Sequence, residues 1–161
     1  MRDFLHRYQG ILLTLLGGLV AIFLLFLHKI SPGIEGGMDS YNHFLIAKNT
    51  WQHPELFLDQ WGKPVYNIIA SPFAQFGISG MVILNILSLF LCAYLVWKIA
   101  INLKLKYAFV GFVLTILSPI ILDNTVSSLT EPLCALLVLY TIYLLIKNQL
   151  VAGAILAGFL P

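Results

Sequence analysis

Apolar residues in this chain come in long uncharged runs, separated by short clusters of charge. Ile11–Leu27 contains no charged residue and closes at His28 and Lys29. No charge appears between Pro64 and Trp97, and the second half of that stretch, Ile78–Trp97, ends at Lys98. Tyr107–Leu122 lies between Lys106 and Asp123. A run from Val126 to Ile146 stops at Lys147, and after Asn148 and Gln149 a last one covers Leu150–Pro161. A helix needs about 20 apolar residues, within a working range of roughly 17–25, to cross the hydrocarbon of a bilayer. The pattern therefore predicts an all-α, polytopic transmembrane bundle with spans over 11–27, 78–97, 107–122 and 126–146. The run over 150–161 predicts an incomplete fifth span, because a helix of about that length rises only some 18 Å. Residues 1–161 are accordingly expected to be the N-terminal part of a single, longer membrane domain. Arg2 and Arg7 precede the first run as they would in a secretory signal, but no small-x-small cleavage site follows it. The run reads as an uncleaved anchor.

Composition agrees. Of 161 residues 60% are hydrophobic and 10% charged, against about 25% charged in a soluble domain. That excludes a soluble globule, a disordered chain and a disulfide-stapled scaffold. The net charge of +2 comes with no basic block, so nucleic acid is not an expected partner. Cys92 and Cys134 both fall in apolar runs, where a thiol behaves as a small hydrophobe. There is no P-loop, dinucleotide-binding turn or Cys/His cluster.

The charges between runs give an orientation. Arg2 and Arg7, then Lys98, Lys104 and Lys106, then Lys147 mark three segments as cytoplasmic by the positive-inside rule. The intervening connections are acidic: Glu35, Asp39, Glu55 and Asp59 against Lys48 and Lys63 in the first, Asp123 and Glu131 in the second. All of these agree with one alternation. It predicts a cytoplasmic N-terminus, with the segment over 30–77 facing the periplasm in a bacterial inner membrane, or the lumen in a eukaryote.

That outward segment is far longer than a connector requires. It is rich in aromatics (Tyr41, Phe44, Trp51, Phe57, Trp61, Tyr66, Phe73), which favour membrane interfaces. Asp39-Ser40 is a plausible N-cap for a helix over Tyr41–Gln52 ended by Pro54, lying on the bilayer with Tyr41, Phe44, Leu45 and Trp51 to one side. Pro64–Ile78 reads as a second apolar segment, broken at Pro72 and Gly77.

Candidate chemistry concentrates there. Asp39 stands at the start of a helix, where a negative charge is favoured, and close to the bilayer; it suits either a general base or a plain helix cap. His43 follows one turn later on the same face. The pair could hold a divalent cation or a phosphate, although two groups do not close a metal site. His53 and Lys63 are cationic candidates for a lipid phosphate, or else snorkel beside Trp51 and Trp61. Glu131, in Thr130-Glu131-Pro132, is either a site residue or a normal helix entry. Apart from Glu131 no ionisable residue sits within a run, which argues against an ion-coupled transporter.

Taken together, the outward loop with Asp39, the stretch Trp51-Gln52-His53-Pro54-Glu55-Leu56-Phe57-Leu58-Asp59-Gln60-Trp61-Gly62-Lys63-Pro64 and the entry Ser128-Leu129-Thr130-Glu131-Pro132-Leu133 resemble the N-terminal module of the GT-C superfamily of integral-membrane glycosyltransferases. The resemblance implies inverting transfer of a sugar from a polyprenyl-phosphate donor to a hydroxyl on a glycan, lipid or protein acceptor. It implies Asp39 as general base, with His43, His53, Lys63 and Glu131 about the substrates. Ser40 stands where many relatives carry a second acid. The competing expectation is a non-catalytic polytopic protein, either a transporter fragment or an assembly subunit.

Overall fold

The computed structural model describes residues 2–30 and 36–160, side chains of residues 2–7 excepted. Glu35, Pro161 and the side chains of Arg2 and Arg7 lie outside the described residues. Eight α-helices and one 3-10 turn make up the described chain, without a strand: α1 (Arg2–Ile30), α2 (Gly37–Asn49), the 3-10 turn Pro54–Leu58, α3 (Pro64–Ala74), α4 (Ile78–Asn102), α5 (Ala108–Leu117), α6 (Pro119–Thr125), α7 (Glu131–Ile146) and α8 (Leu150–Ala157).

Two helical stretches are long and apolar enough to cross a membrane, Tyr8–Ile30 in α1 and all of α4. They run antiparallel: His28 Nε2 lies 3.0 Å from Ser79 Oγ at one end, and Gln9 and Leu12 line one groove with Trp97 and Ile101 at the other. Helix is the natural solution for such sequences, since a lone segment in hydrocarbon must pair its own backbone groups. The few hydroxyls in these helices follow the same rule. Thr14, Ser88, Thr115 and Thr141 each donate to the carbonyl four residues back.

The third expected span is not one helix. It bends by 55° between α5 and α6, because Pro119 forces Ser118 out of the helical region to φ −67°, ψ 119°. The fourth is shorter than the apolar run. Pro132 sits in the first turn of α7, and the helix begins only at Glu131; residues 126–130 form a largely buried non-helical segment before it. Counting the bent pair as one crossing gives three candidate spans, with α7 a shorter apolar helix.

Helix α4 is the wall between two cores. On one side Leu13, Val20 and Leu24 of α1 pack against Val82, Ile86, Leu89 and Ala93, with Phe112 and Ile116 of α5. On the other, Phe44 and Ala47 of α2, Tyr66, Ala70 and Ala74 of α3 and Leu133 of α7 pack against Met81 and Leu84. The second core holds the α2–α3 segment as a structured layer over the start of α4 and α7. The chain turns sharply from α3 into α4, and a side chain at Gly80 would collide with the Phe73 carbonyl.

Within that layer the helices depart from expectation. Gly36, at φ 82°, is the residue before α2, so Asp39 sits inside the first turn and caps nothing with its side chain. The buried face of α2 is Ser40, His43, Phe44 and Ala47, while Tyr41 and Trp51 are exposed. Packing against α3 thus selects a different face from the one the aromatics suggest. Pro72 does not break α3; the hydroxyl of Ser71 donates to the Ile68 carbonyl at 3.3 Å, the acceptor that the missing proline N–H leaves free.

Candidate functional site

The polar residues of this layer converge where α2, the start of α3 and the segment 126–130 meet. Their anchor is a set of buried bonds that pins that segment. Asn85 Nδ2, from α4, donates to the carbonyls of Ser127 (2.7 Å) and Leu129 (3.2 Å). Tyr66 Oη donates to the Ser128 carbonyl at 2.9 Å, and the Ser128 N–H donates to Ser40 Oγ at 2.6 Å. A non-helical backbone at this depth needs such partners, since each buried unpaired group is costly.

His43 projects from α2 into this region and is 4% exposed. Its ring stacks on Trp61 at 6.5 Å between centroids and meets the edge of Tyr66 at 5.7 Å. Burial pushes the imidazole below its ordinary value. The Asp39 carboxylate opposes this, Lys63 adds to it, and Glu131 and Asp59 oppose it in turn. The ring is therefore neutral at pH 7, with Nδ1 buried and without a hydrogen-bond partner. Asp39 is half-exposed, its Oδ1 4.0 Å from His43 Nε2, beyond hydrogen-bonding distance. Among the described residues no group of three or more His, Cys, Asp and Glu gathers as a metal cluster would.

Lys63 is the residue before α3, at φ 58° and ψ 109°, a backbone conformation that residues with a Cβ seldom adopt. The turn leading to it is local: Asp59 Oδ1 accepts the Gly62 N–H at 2.7 Å, and any side chain at Gly62 would run into the Asn67 amide. Its Nζ donates to Thr130 Oγ1 at 2.6 Å. Thr130 accordingly holds the lysine and makes no side-chain cap to α7.

Lys63 also lines an apolar groove of about 530 Å³, with Leu58, Val65, Leu133, Leu137 and Phe159 as walls and Gln60 and Tyr66 as its other polar members. This volume is that of an ordinary ligand pocket. The buried Tyr66 phenol is pushed well above its ordinary value by burial, with the Glu131 charge next, so it stays a neutral donor. Asp39, His43 and Glu131 do not line the groove. Lys63 and Tyr66 belong to both, and Lys63 is the charged one.

Of the residues expected from sequence, then, Asp39, His43, Lys63 and Glu131 are brought into one electrostatic neighbourhood. His53 is not; it is exposed and pairs with Glu55 at 3.3 Å. Glu131 is exposed in the first turn of α7. Sequence reasoning passed over Tyr66, Thr130 and Asn85. The spacing of Lys63 and Tyr66, one turn apart on a helix beginning with Pro64, was the signal available for the first. The other two are single polar residues whose partners lie more than 40 positions away.

No protein-family model, no curated protein and no solved structure matches this chain.

Proposed function

We propose that this chain belongs to an integral-membrane glycosyltransferase of the GT-C type, which moves a sugar from a polyprenyl-phosphate donor to a hydroxyl acceptor with inversion. The observation that carries the reading is the position of Lys63, at the seam between a polar cluster and an apolar groove. An amphiphilic donor needs both: hydrocarbon walls for its tail and a cation beside its phosphate.

On this reading the prenyl chain enters the groove past Leu133 and Leu137, and the phosphate meets Lys63. Asp39 accepts the proton of the attacking hydroxyl. The hydroxyl oxygen bonds to the anomeric carbon from the face opposite the phosphate. The bond from that carbon to the phosphate oxygen breaks, its electron pair leaving with the phosphate, where Lys63 stabilises the charge. The carbon passes through an oxocarbenium-like state, as in glycoside hydrolysis. Neutral His43, held by Trp61 and Tyr66, fixes the floor beneath Asp39. The site belongs to the periplasmic face of a bacterial inner membrane in the orientation that the lysine distribution predicts.

The deciding experiment measures transfer from a radiolabelled polyprenyl-phosphate sugar in membranes containing the full-length protein. Asp39→Asn is expected to lower turnover by about two orders of magnitude or more with insertion and abundance unchanged. Wild-type turnover in that variant overturns the assignment of the base. One observation favours the second reading, a non-catalytic membrane protein: Asp39 does not line the groove that Lys63 enters. That reading predicts no transfer with either variant or wild type.

A further inference from the structure

A second groove opens at the other end of the α1–α4 pair. It holds about 540 Å³ between the early turns of α1 and the α4–α5 connection, with Leu12, Leu13, Ile101 and Phe109 as walls. Its polar rim is Gln9, Lys104 and Lys106, beside Trp97, and among the described residues no acid lines it. A third groove, of about 680 Å³, lies on the opposite flank of the same connection, against Val96, Val110, Leu139 and Ile142. Leu105, Lys106, Tyr107 and Ala108 line both. The connection is thus a lysine-bearing ridge with hydrocarbon walls on either side.

The ridge is held in a defined shape. Lys104 N–H bonds to the Ile101 carbonyl at 2.9 Å and Leu105 N–H to the Ala100 carbonyl at 3.0 Å, the paired bonds of a Schellman turn closing α4. The residue at its left-handed position is usually Gly, sometimes Asn. At the equivalent turn after α7 it is Asn148, at φ 58°. Here it is Lys104, at φ 57°. Lys63 and Lys104 are the two described lysines in this disfavoured conformation, and each lines a groove. Strain of this kind persists where the surroundings fix it, and it collects at ligand clamps.

Charge supplies the rest. Lys98 Nζ lies 5.4 Å from the Trp97 ring centroid and Lys106 Nζ 5.2 Å from that of Tyr107. Among the described residues no carboxylate pairs with Lys98, Lys104 or Lys106. Lys104 and Lys106, rimming two apolar grooves, are complementary to an amphiphile with an anionic head and two hydrocarbon tails. We propose that this end of the molecule binds an anionic glycerophospholipid: its phosphate on Lys104 and Lys106, one acyl chain beside Leu12 and Ile101, the other across the ridge against Val110 and Ile142. The site is independent of the transferase reading, being at the far end of α4.

Trp97 reports on it directly, because Trp51 and Trp61 belong to the outward layer. The chain with Trp51→Phe and Trp61→Phe is reconstituted into phosphatidylcholine vesicles containing a minority of phosphatidylglycerol with brominated acyl chains, and in parallel with brominated phosphatidylcholine. Each lysine near an anionic headgroup is worth roughly a fivefold enrichment. Half-maximal quenching of Trp97 is therefore expected at a several-fold lower mole fraction of the anionic lipid, with the preference collapsing in high salt. Lys104→Asn suits the turn at least as well as lysine, so its fold is secure, and it should reduce the preference about fivefold. Equal quenching by the two lipids overturns the proposal, as does an unchanged preference in Lys104→Asn. Weak quenching by both, expected if a second copy of the chain covers the grooves, overturns it too. Native mass spectrometry of the unsubstituted chain from mixed vesicles checks the same point without the tryptophan changes: a retained phosphatidylglycerol adduct supports it, and equal or absent adducts overturn it.

Discussion

Lys63 Nζ and Thr130 Oγ1 are joined by a 2.6 Å hydrogen bond that ties the turn before α3 to the segment before α7. The two sides of the groove mouth are therefore one unit. Lys63→Gln removes the cation that would meet the donor phosphate, and turnover should fall by about a hundredfold or more. Thr130→Val keeps the cation and removes its tether. It should cost about 1–3 kcal/mol of stability, because a part-buried charged donor loses a partner, with a smaller loss of turnover. Denaturation midpoints read beside initial rates separate the two. A Thr130→Val variant as slow as Lys63→Gln would make the lysine structural.

Asp39 and His43 also bear on metal dependence. With Oδ1 and Nε2 4.0 Å apart and Asp39 acting as a base, turnover is expected to survive prolonged chelation with EDTA. Loss of activity, restored by a divalent cation, would turn Asp39 from proton acceptor to ligand.

A pH dependence follows from His43. Its folded-state value is pushed below the ordinary 6.5, chiefly by burial, so below pH 6.5 the unfolded chain binds the proton more readily than the folded one. The stability it contributes is complete above about pH 6.5 and is lost as pH falls through the folded value. Melting temperature should therefore fall between pH 7.5 and 5, and His43→Phe should flatten that part of the profile. An equally steep profile in the variant would place the dependence elsewhere.

Asn85 tests the anchor. Replacing it with Leu strands the Ser127 and Leu129 carbonyls and should destabilise the fold by about 2–6 kcal/mol, at about 1–3 for each unpaired group. Unfolding in a denaturing detergent titration measures it, and a change under about 1 kcal/mol would mean that water already reaches this segment.

The membrane character of the chain could be read directly from its uncharged runs, because the cost of unpaired backbone in lipid leaves helix as their main option. Ile11–Leu27 and Ile78–Trp97 lie inside α1 and α4, each helix running on past its apolar run into polar flanks. The third and fourth runs were harder, since hydropathy does not register backbone geometry. Ser118-Pro119 and Glu131-Pro132 held the signals for the bend and the late start, and both are proline effects of a single residue pair. The charge alternation predicts one side of the membrane for Asp39, His43, Lys63 and Glu131, and their proximity accords with that expectation. Their pairing does not follow from the alternation, because the bonds that set the pairing join α3 and α4 to the 126–130 segment over 42 to 67 positions.

The late start of α7 has a consequence for the lipid around it. Its 16 residues rise about 24 Å, some 6 Å less than a typical hydrocarbon slab. For α7 to reach both surfaces, the leaflet beside Glu131 must dip. A dimple of that depth would lower the headgroup plane toward Lys63, and on the proposed reading it would let a polar sugar descend without leaving water while the tail attached to it stays in oil.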